Sequence, residues 1–158
     1  MEAQPADAQI AGDTLMHELS QRFMFEAAHT LQREFETESS LRIHGHTYYG
    51  ELTVAGKPNP RTGMLVDLAQ LRAAIEEVRQ MLDHHLLDEV DDLGPPTLEN
   101  LCSFIAKSAR ATIPNLSMVR VWREASGDSC RLIVEHDFSS TAILQREVMQ
   151  ALIPEETT

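Results

Sequence analysis

Across residues 43–56 the side chains alternate as they do in an extended strand. His44, His46, Tyr48, Leu52 and Val54 share one parity and leave the same face of the backbone. Residues 16–30 repeat the pattern, with Phe23, Phe25, Ala27 and His29 in one parity. Two such strands need an apolar partner layer, and helix signals follow that can supply it. Asp67 can cap a helix whose apolar positions Leu68, Leu71, Ile75, Val78 and Leu82 recur at alternating three- and four-residue steps. Past Gly94-Pro95-Pro96, Thr97 can cap a second helix carrying Leu98, Leu101, Cys102, Ile105 and Ala109, which Pro114 ends. Strand patterns return over residues 117–124 and 131–137, separated by the turn residues Ser126-Gly127-Asp128-Ser129. Residues 32–40 read as a charged loop, and Pro58-Asn59-Pro60-Arg61-Thr62-Gly63 as a turn cluster. The order strand, strand, helix, helix, strand, strand predicts an α+β domain, an antiparallel four-stranded sheet with two helices on one face.

Charge narrows the functions open to such a domain. The 158 residues carry 13 Lys and Arg against 25 Asp and Glu, a formal charge of −12. A chain this acidic is a poor candidate for wrapping nucleic acid or lying on an anionic membrane, so neither is expected as a partner. The excess is localised: ten acids lie in residues 1–13, in residues 83–92 and in the tail, leaving the rest close to neutral. No apolar run approaches the roughly 18 residues of a membrane span. Cys102 and Cys130 give no disulfide framework, and the acidic start lacks the apolar core of a signal peptide. The expectation is a cytoplasmic protein with a disordered acidic leader (1–13), one folded domain (14–137) and a C-terminal extension (138–158). A short helix is expected over 141–152, with Leu144, Val148, Ala151 and Leu152 on one stripe.

Three groups of residues could carry chemistry. His44 and His46 lie two apart on one strand face, about 7 Å from each other, and His29 ends a strand that can pair alongside. Three converging imidazoles suit Zn(II) with an open fourth position, the mark of a catalytic site. The alternative is a surface His-x-His whose rings never meet. Asp83 beside His84 can fix an imidazole's tautomer and make an acid or base near neutral pH, or the pair can simply end a helix in a solvated loop. Glu124, after Trp122 at a strand end, could grip a donor-rich ring if buried, or be solvated. In the loop before His44, Ser40 would need an adjacent base to act as a nucleophile, and Glu38 would need desolvation to act as a base. Both also fit an ordinary polar loop.

The motifs Phe25-Glu26-Ala27-Ala28-His29, His44-Gly45-His46-Thr47-Tyr48, Thr62-Gly63-Met64-Leu65-Val66-Asp67, Leu82-Asp83-His84-His85-Leu86 and Pro96-Thr97-Leu98-Glu99-Asn100, followed by the Glu124 strand, occur in this order. From about residue 16 to 137 they resemble the 6-pyruvoyltetrahydropterin synthase and 6-carboxytetrahydropterin synthase family. The resemblance implies the tunnelling fold (T-fold), in which sheets of several subunits join into a barrel. It implies a homo-oligomer, commonly a hexamer of two trimers, with active sites at subunit interfaces. It further implies catalytic zinc on His29, His44 and His46, proton transfer by Asp83 and His84, a pterin ring held by Glu124, and a pocket completed by the Pro96-Thr97 turn of a neighbouring subunit.

One departure stands out. The family's cysteine before the His-Gly-His is absent, with Ser40 at the bacterial carboxypterin spacing and Glu38 at the animal-type spacing. Cys130 matches a late cysteine of some bacterial members, a different position. The activity expected from the resemblance is a zinc-dependent lyase of the 6-carboxy-5,6,7,8-tetrahydropterin synthase type, acting on 7,8-dihydroneopterin triphosphate. The alternatives are a 6-pyruvoyltetrahydropterin synthase, a branch that forms hydroxymethyl pterin with a glutamate base, and a pterin- or zinc-binding homologue without catalysis.

Overall fold

The structure, a computed structural model, describes residues 16–35 and 37–135. The leader, the extension after Asp137 with its expected helix, and the expected end of the last strand lie outside the described residues. Strands β1 (His17–His29), β2 (His44–Gly56), β3 (Leu116–Arg123) and β4 (Asp128–Ile133) form one antiparallel sheet in that spatial order. Helices α2 (Leu68–Leu82) and α3 (Leu98–Ala109) connect the two strand pairs. The expected ββααββ order is therefore present. A short helix α1 (Thr37–Ser40) forms where a loop was expected, and β4 begins three residues earlier than its pattern suggested, at Asp128.

The strand parities decide which face is buried. Phe25, Ala27 and His29 of β1 and Tyr48, Leu52 and Val54 of β2 are buried, as are Leu116, Val119 and Val121 from β3. The Phe25 and Tyr48 rings, directly paired across the strands, stack with centroids 5.0 Å apart. Phe23 lies opposite Gly50, where an added Cβ would meet its ring at 2.3 Å, so the glycine is the slot that admits the ring.

Onto this face α2 packs Leu71, Ala74, Ile75, Val78 and Leu82, and α3 packs Leu101, Cys102, Ile105, Ala106 and Ala109. Leu68, counted in the apolar stripe from spacing, is 40% exposed because it stands in the first turn at the rim of the interface. Both caps form as expected: Asp67 accepts from the Ala69 amide at 2.8 Å and Thr97 from the Asn100 amide at 3.2 Å. Burying a leucine this completely contributes about 1.5–3 kcal/mol, so the fully buried Leu52, Leu71, Leu82 and Leu101 anchor the two layers. No helix among the described residues is long and apolar enough to cross a membrane.

One connection matters for function. After α2 the chain runs along the outer edge of β1: the Ala28 amide donates to the His85 carbonyl at 3.0 Å, the His84 amide donates to the Glu26 carbonyl, and Leu86 bridges Ala28 in parallel. This satisfies edge groups that would otherwise stand open. It also ties the segment after α2 to the strand that ends in His29.

Candidate active site

The antiparallel register sets the histidine cluster. His29 sits directly opposite His44, and His46 opposite Ala27, so the three imidazoles leave the same face at the end of the β1–β2 pair. Their centroids are 4.5 Å (His29–His44), 4.9 Å (His44–His46) and 5.1 Å (His29–His46) apart, and one nitrogen from each lies within 4.8 Å of the others. The rings meet, which excludes the isolated surface His-x-His.

Backbone carbonyls orient two of the rings. His29 Nδ1 lies 3.2 Å from the Pro96 oxygen and His44 Nδ1 2.8 Å from the Arg42 oxygen. A carbonyl can only accept, so each Nδ1 carries the proton and each Nε2 keeps its lone pair. Such a carbonyl partner typically sets the tautomer of a metal-ligating histidine. His29 is 2% exposed, and its Nε2 is buried with no hydrogen-bond partner among the described residues. An orphaned, buried lone pair aimed at two other imidazoles is what a nitrogen-ligated metal would satisfy, so the donor set fits a possible three-histidine metal site. Burial lowers the basicity of His29, with His44 adding to the effect. His46 is pushed down to about 4 by burial, then by the Arg123 charge and the other two rings. His29 and His46 are thus biased toward the neutral form, the state a cation needs.

His46 also faces Arg123, whose Nη1 lies 3.1 Å from its Nε2. Arg123 extends from the last position of β3 and pairs with Asp128, which opens β4 and also accepts from Ser126 Oγ at 2.7 Å. Sequence reasoning missed this arginine, although it shares the parity of the buried Val119 and Val121. Tyr48 was read as a strand residue only. Its buried hydroxyl has no partner among the described residues, burial pushes the phenol up to about 12, and its ring centroid stands 5.7 Å from that of His46.

Two cavities border the strand ends that carry the cluster. One, of about 530 Å³, is lined by Glu26, Gly45, His46, Thr47, His84 and His85 among others. The other, of about 470 Å³, includes His29, Arg33, Tyr48, Thr97, Arg123 and Asp128. Cys130 also borders the second cavity.

The Asp83–His84 pair stands at the first cavity, whose wall includes Glu26, Ala28, Gly45 and Thr47, opposite in parity to the three imidazoles. Asp83 Oδ1 accepts from the Glu26 amide at 2.8 Å and lies 3.2 Å from His84 Nδ1, while Oδ2 is 3.2 Å from Arg79 Nη2. His84 takes a left-handed backbone (φ 60°) and is 76% exposed, which turns its ring out to the cavity. The Glu26 amide, followed by His84 and Arg79, holds the Asp83 carboxyl below the usual carboxylate range. A carboxyl whose folded pKa is depressed stabilises the fold above its unfolded value of about 3.9 and loses that contribution as pH falls toward the folded value. Acid unfolding should therefore be less steep below about pH 4 in Asp83→Asn than in the wild type, measured by circular dichroism.

The remaining candidates lie apart from these walls. Ser40 is 5% exposed, its carbonyl accepts from the Leu31 amide at 2.8 Å, and it lines neither cavity. Glu38 is exposed in the first turn of α1. Glu124 lies just past the end of β3, exposed in the turn to β4, because the strand stops at Arg123 where that arginine turns inward to His46.

The fold and the cluster define a T-fold protein with a candidate three-histidine metal centre. Residues 18–133 match the family model described as 6-pyruvoyl tetrahydropterin synthase, and the chain belongs to that family. The family comprises pterin-processing, metal-dependent lyases. Human 6-pyruvoyl tetrahydrobiopterin synthase is 33% identical over 111 residues, covering 61% of this chain and 77% of the relative. The dihydroneopterin monophosphate aldolase of Pyrococcus furiosus is 31% identical over 104 residues, 64% of this chain and 84% of the relative. The structure of Caenorhabditis elegans 6-pyruvoyl tetrahydropterin synthase superposes with a TM-score of 0.66 at 20% identity, covering 77% of this chain and 97% of that one.

Proposed function

We propose that the protein is a zinc-dependent pterin lyase of the 6-carboxy-5,6,7,8-tetrahydropterin synthase type, acting on 7,8-dihydroneopterin triphosphate. The observation that carries this reading is the convergence of His29, His44 and His46, one nitrogen of each within 4.8 Å of the others, with His29 on the wall of the second cavity. Zinc held by His29, His44 and His46 would supply Lewis-acid polarisation of the substrate's side-chain oxygens. His84 moves a proton at Nε2, since its Nδ1 faces Asp83, and Asp83 fixes that tautomer and stabilises the charged ring. Glu124 and Thr97 hold the pterin ring: Thr97 lines the second cavity beside His29, and the exposed Glu124 suits a site completed by a neighbouring subunit of a homo-oligomer. Ser40, at the bacterial carboxypterin spacing before His44, favours this branch of the family. The catalytic domain spans residues 14–137, and the protein works in the cytoplasm as a hexamer of two trimers.

The hydroxymethyl-forming branch is the second reading. A relative named for dihydroneopterin monophosphate cleavage, together with Glu38 in place of the family cysteine, favours it. Incubating the zinc-loaded protein with 7,8-dihydroneopterin triphosphate and identifying products by mass separates the two. A 6-carboxytetrahydropterin product supports the first. A 6-hydroxymethyl product, abolished in Glu38→Gln with zinc content intact, supports the second. No turnover at high enzyme concentration, with tight pterin binding by calorimetry, would leave a binding protein and sink both.

A further inference from the structure

The third histidine of the cluster is not equivalent to the other two. In His29 and His44 the backbone carbonyls engage Nδ1 and leave Nε2 to the cluster. In His46 it is Nε2 itself that faces Arg123 Nη1 at 3.1 Å. A guanidinium has five N–H donors and no acceptor, so His46 Nε2 must be the acceptor and its lone pair is committed to this bond. A metal ion needs the same lone pair. The two partners exclude one another on orbital grounds, and on charge grounds as well, since a cation and a guanidinium sharing one imidazole repel one another.

Arg123 is built into this position. Its side chain is only 12% exposed, and its Nε is buried with no partner among the described residues. Nη2 pairs with Asp128, a carboxylate held below the usual range by Ser126 Oγ and then by Arg123. The guanidinium therefore has two partners of different kinds. His46 offers a neutral lone pair, while Asp128 offers a full negative charge at the start of β4. Released from His46, Arg123 keeps its charge neutralised by Asp128 and remains in the second cavity beside His29.

We propose that Arg123 and Asp128 form a gate on the metal centre: Arg123 holds the Nε2 lone pair of His46, and a divalent cation completes its three-histidine ligation only by displacing the guanidinium onto Asp128. The gate rests on the cluster being a metal site but not on which pterin reaction follows. Arg123 acts through His46 and is a positioning residue. It keeps the ring aimed at the cluster and sets a lower metal affinity than three unencumbered imidazoles would have.

The two halves of the ion pair should act with opposite sign. Removing Arg123 frees the lone pair and removes a repelling charge, so Arg123→Met should bind metal more tightly. Removing the Asp128 charge leaves Arg123 without its second anchor and uncompensated, so Asp128→Asn should bind more weakly. A purely structural role would weaken binding in both. The test is a Zn²⁺ titration of metal-stripped protein against a chromophoric chelator, with far-UV circular dichroism to establish folding. The expected result is one ion per chain in the wild type, at least tenfold tighter binding in Arg123→Met and at least threefold weaker binding in Asp128→Asn. Unchanged or weaker binding in a folded Arg123→Met overturns the gate alone. If that variant does not fold, unchanged or tighter binding in Asp128→Asn overturns it instead. A wild type that takes up no Zn²⁺ overturns the metal centre and the gate together.

Discussion

His29→Ala should leave a folded protein that no longer retains metal. His29 is the buried member of the cluster, and its orphaned Nε2 is the feature that most calls for a ligand. Loss of an outer-shell partner alone typically costs a metal site about 10–100-fold in affinity, so removal of a ligand should cost more than 100-fold. The fold should tolerate the change. The variant forfeits the hydrogen bond to the Pro96 carbonyl, worth about 1 kcal/mol, but also removes an unpartnered buried nitrogen. Elemental analysis by plasma mass spectrometry after dialysis, alongside a thermal melt, checks both statements. A full complement of metal in His29→Ala would place the ion elsewhere.

The second large effect separates proton transfer from metal binding. His84→Ala should lower turnover by about 10²–10⁴-fold, the usual contribution of a positioned acid or base, while metal content stays at the wild-type level. His84 is not in the cluster, and its contact with the chain is through Asp83 and the β1 edge. Asp83→Asn should give a smaller loss, because an asparagine oxygen can still accept from the Glu26 amide but carries no charge to stabilise a protonated ring. The double variant should be little worse than His84→Ala, since groups that act as a unit are not additive. If His84→Ala loses metal and activity in parallel, the Asp–His pair is structural and the proposed proton transfer fails.

Much of this arrangement was legible because strand parity is an unambiguous code. Phe25, Ala27 and His29, and likewise His44, His46 and Tyr48, each had to leave one face, and a single antiparallel register then brings three imidazoles together. Helix spacing located the buried faces of α2 and α3 and both of their caps. What stayed hidden depends on chain reversal and local competition. The short helix α1 forms within a polar segment that has no apolar period to announce it. The docking of residues 84–86 along the β1 edge requires knowing where α2 ends in space, so the placement of His84 beside Glu26 could not be read from spacing. Arg123 was available from parity, being two residues on from Val121, but a charged side chain at a strand end is normally assigned to solvent. Here Asp128 neutralises it and draws it inward, leaving the neighbouring Glu124 outside.

The pairing of Phe23 with Gly50 lies six residues before His29 on the same strand, and it has a bearing on how correct molecules are told from incorrect ones. In a strand pair, a slip of one residue sends every side chain to the opposite face. Displaced by one, Phe23 would lose the glycine that admits its ring, His29 would turn away from His44, and the Glu26 backbone would move off Asp83 and His84. Packing, the histidine cluster and the placement of the Asp–His pair would thus be lost together. On the proposed ligation, the metal content of a preparation would count the molecules whose first two strands have paired in register.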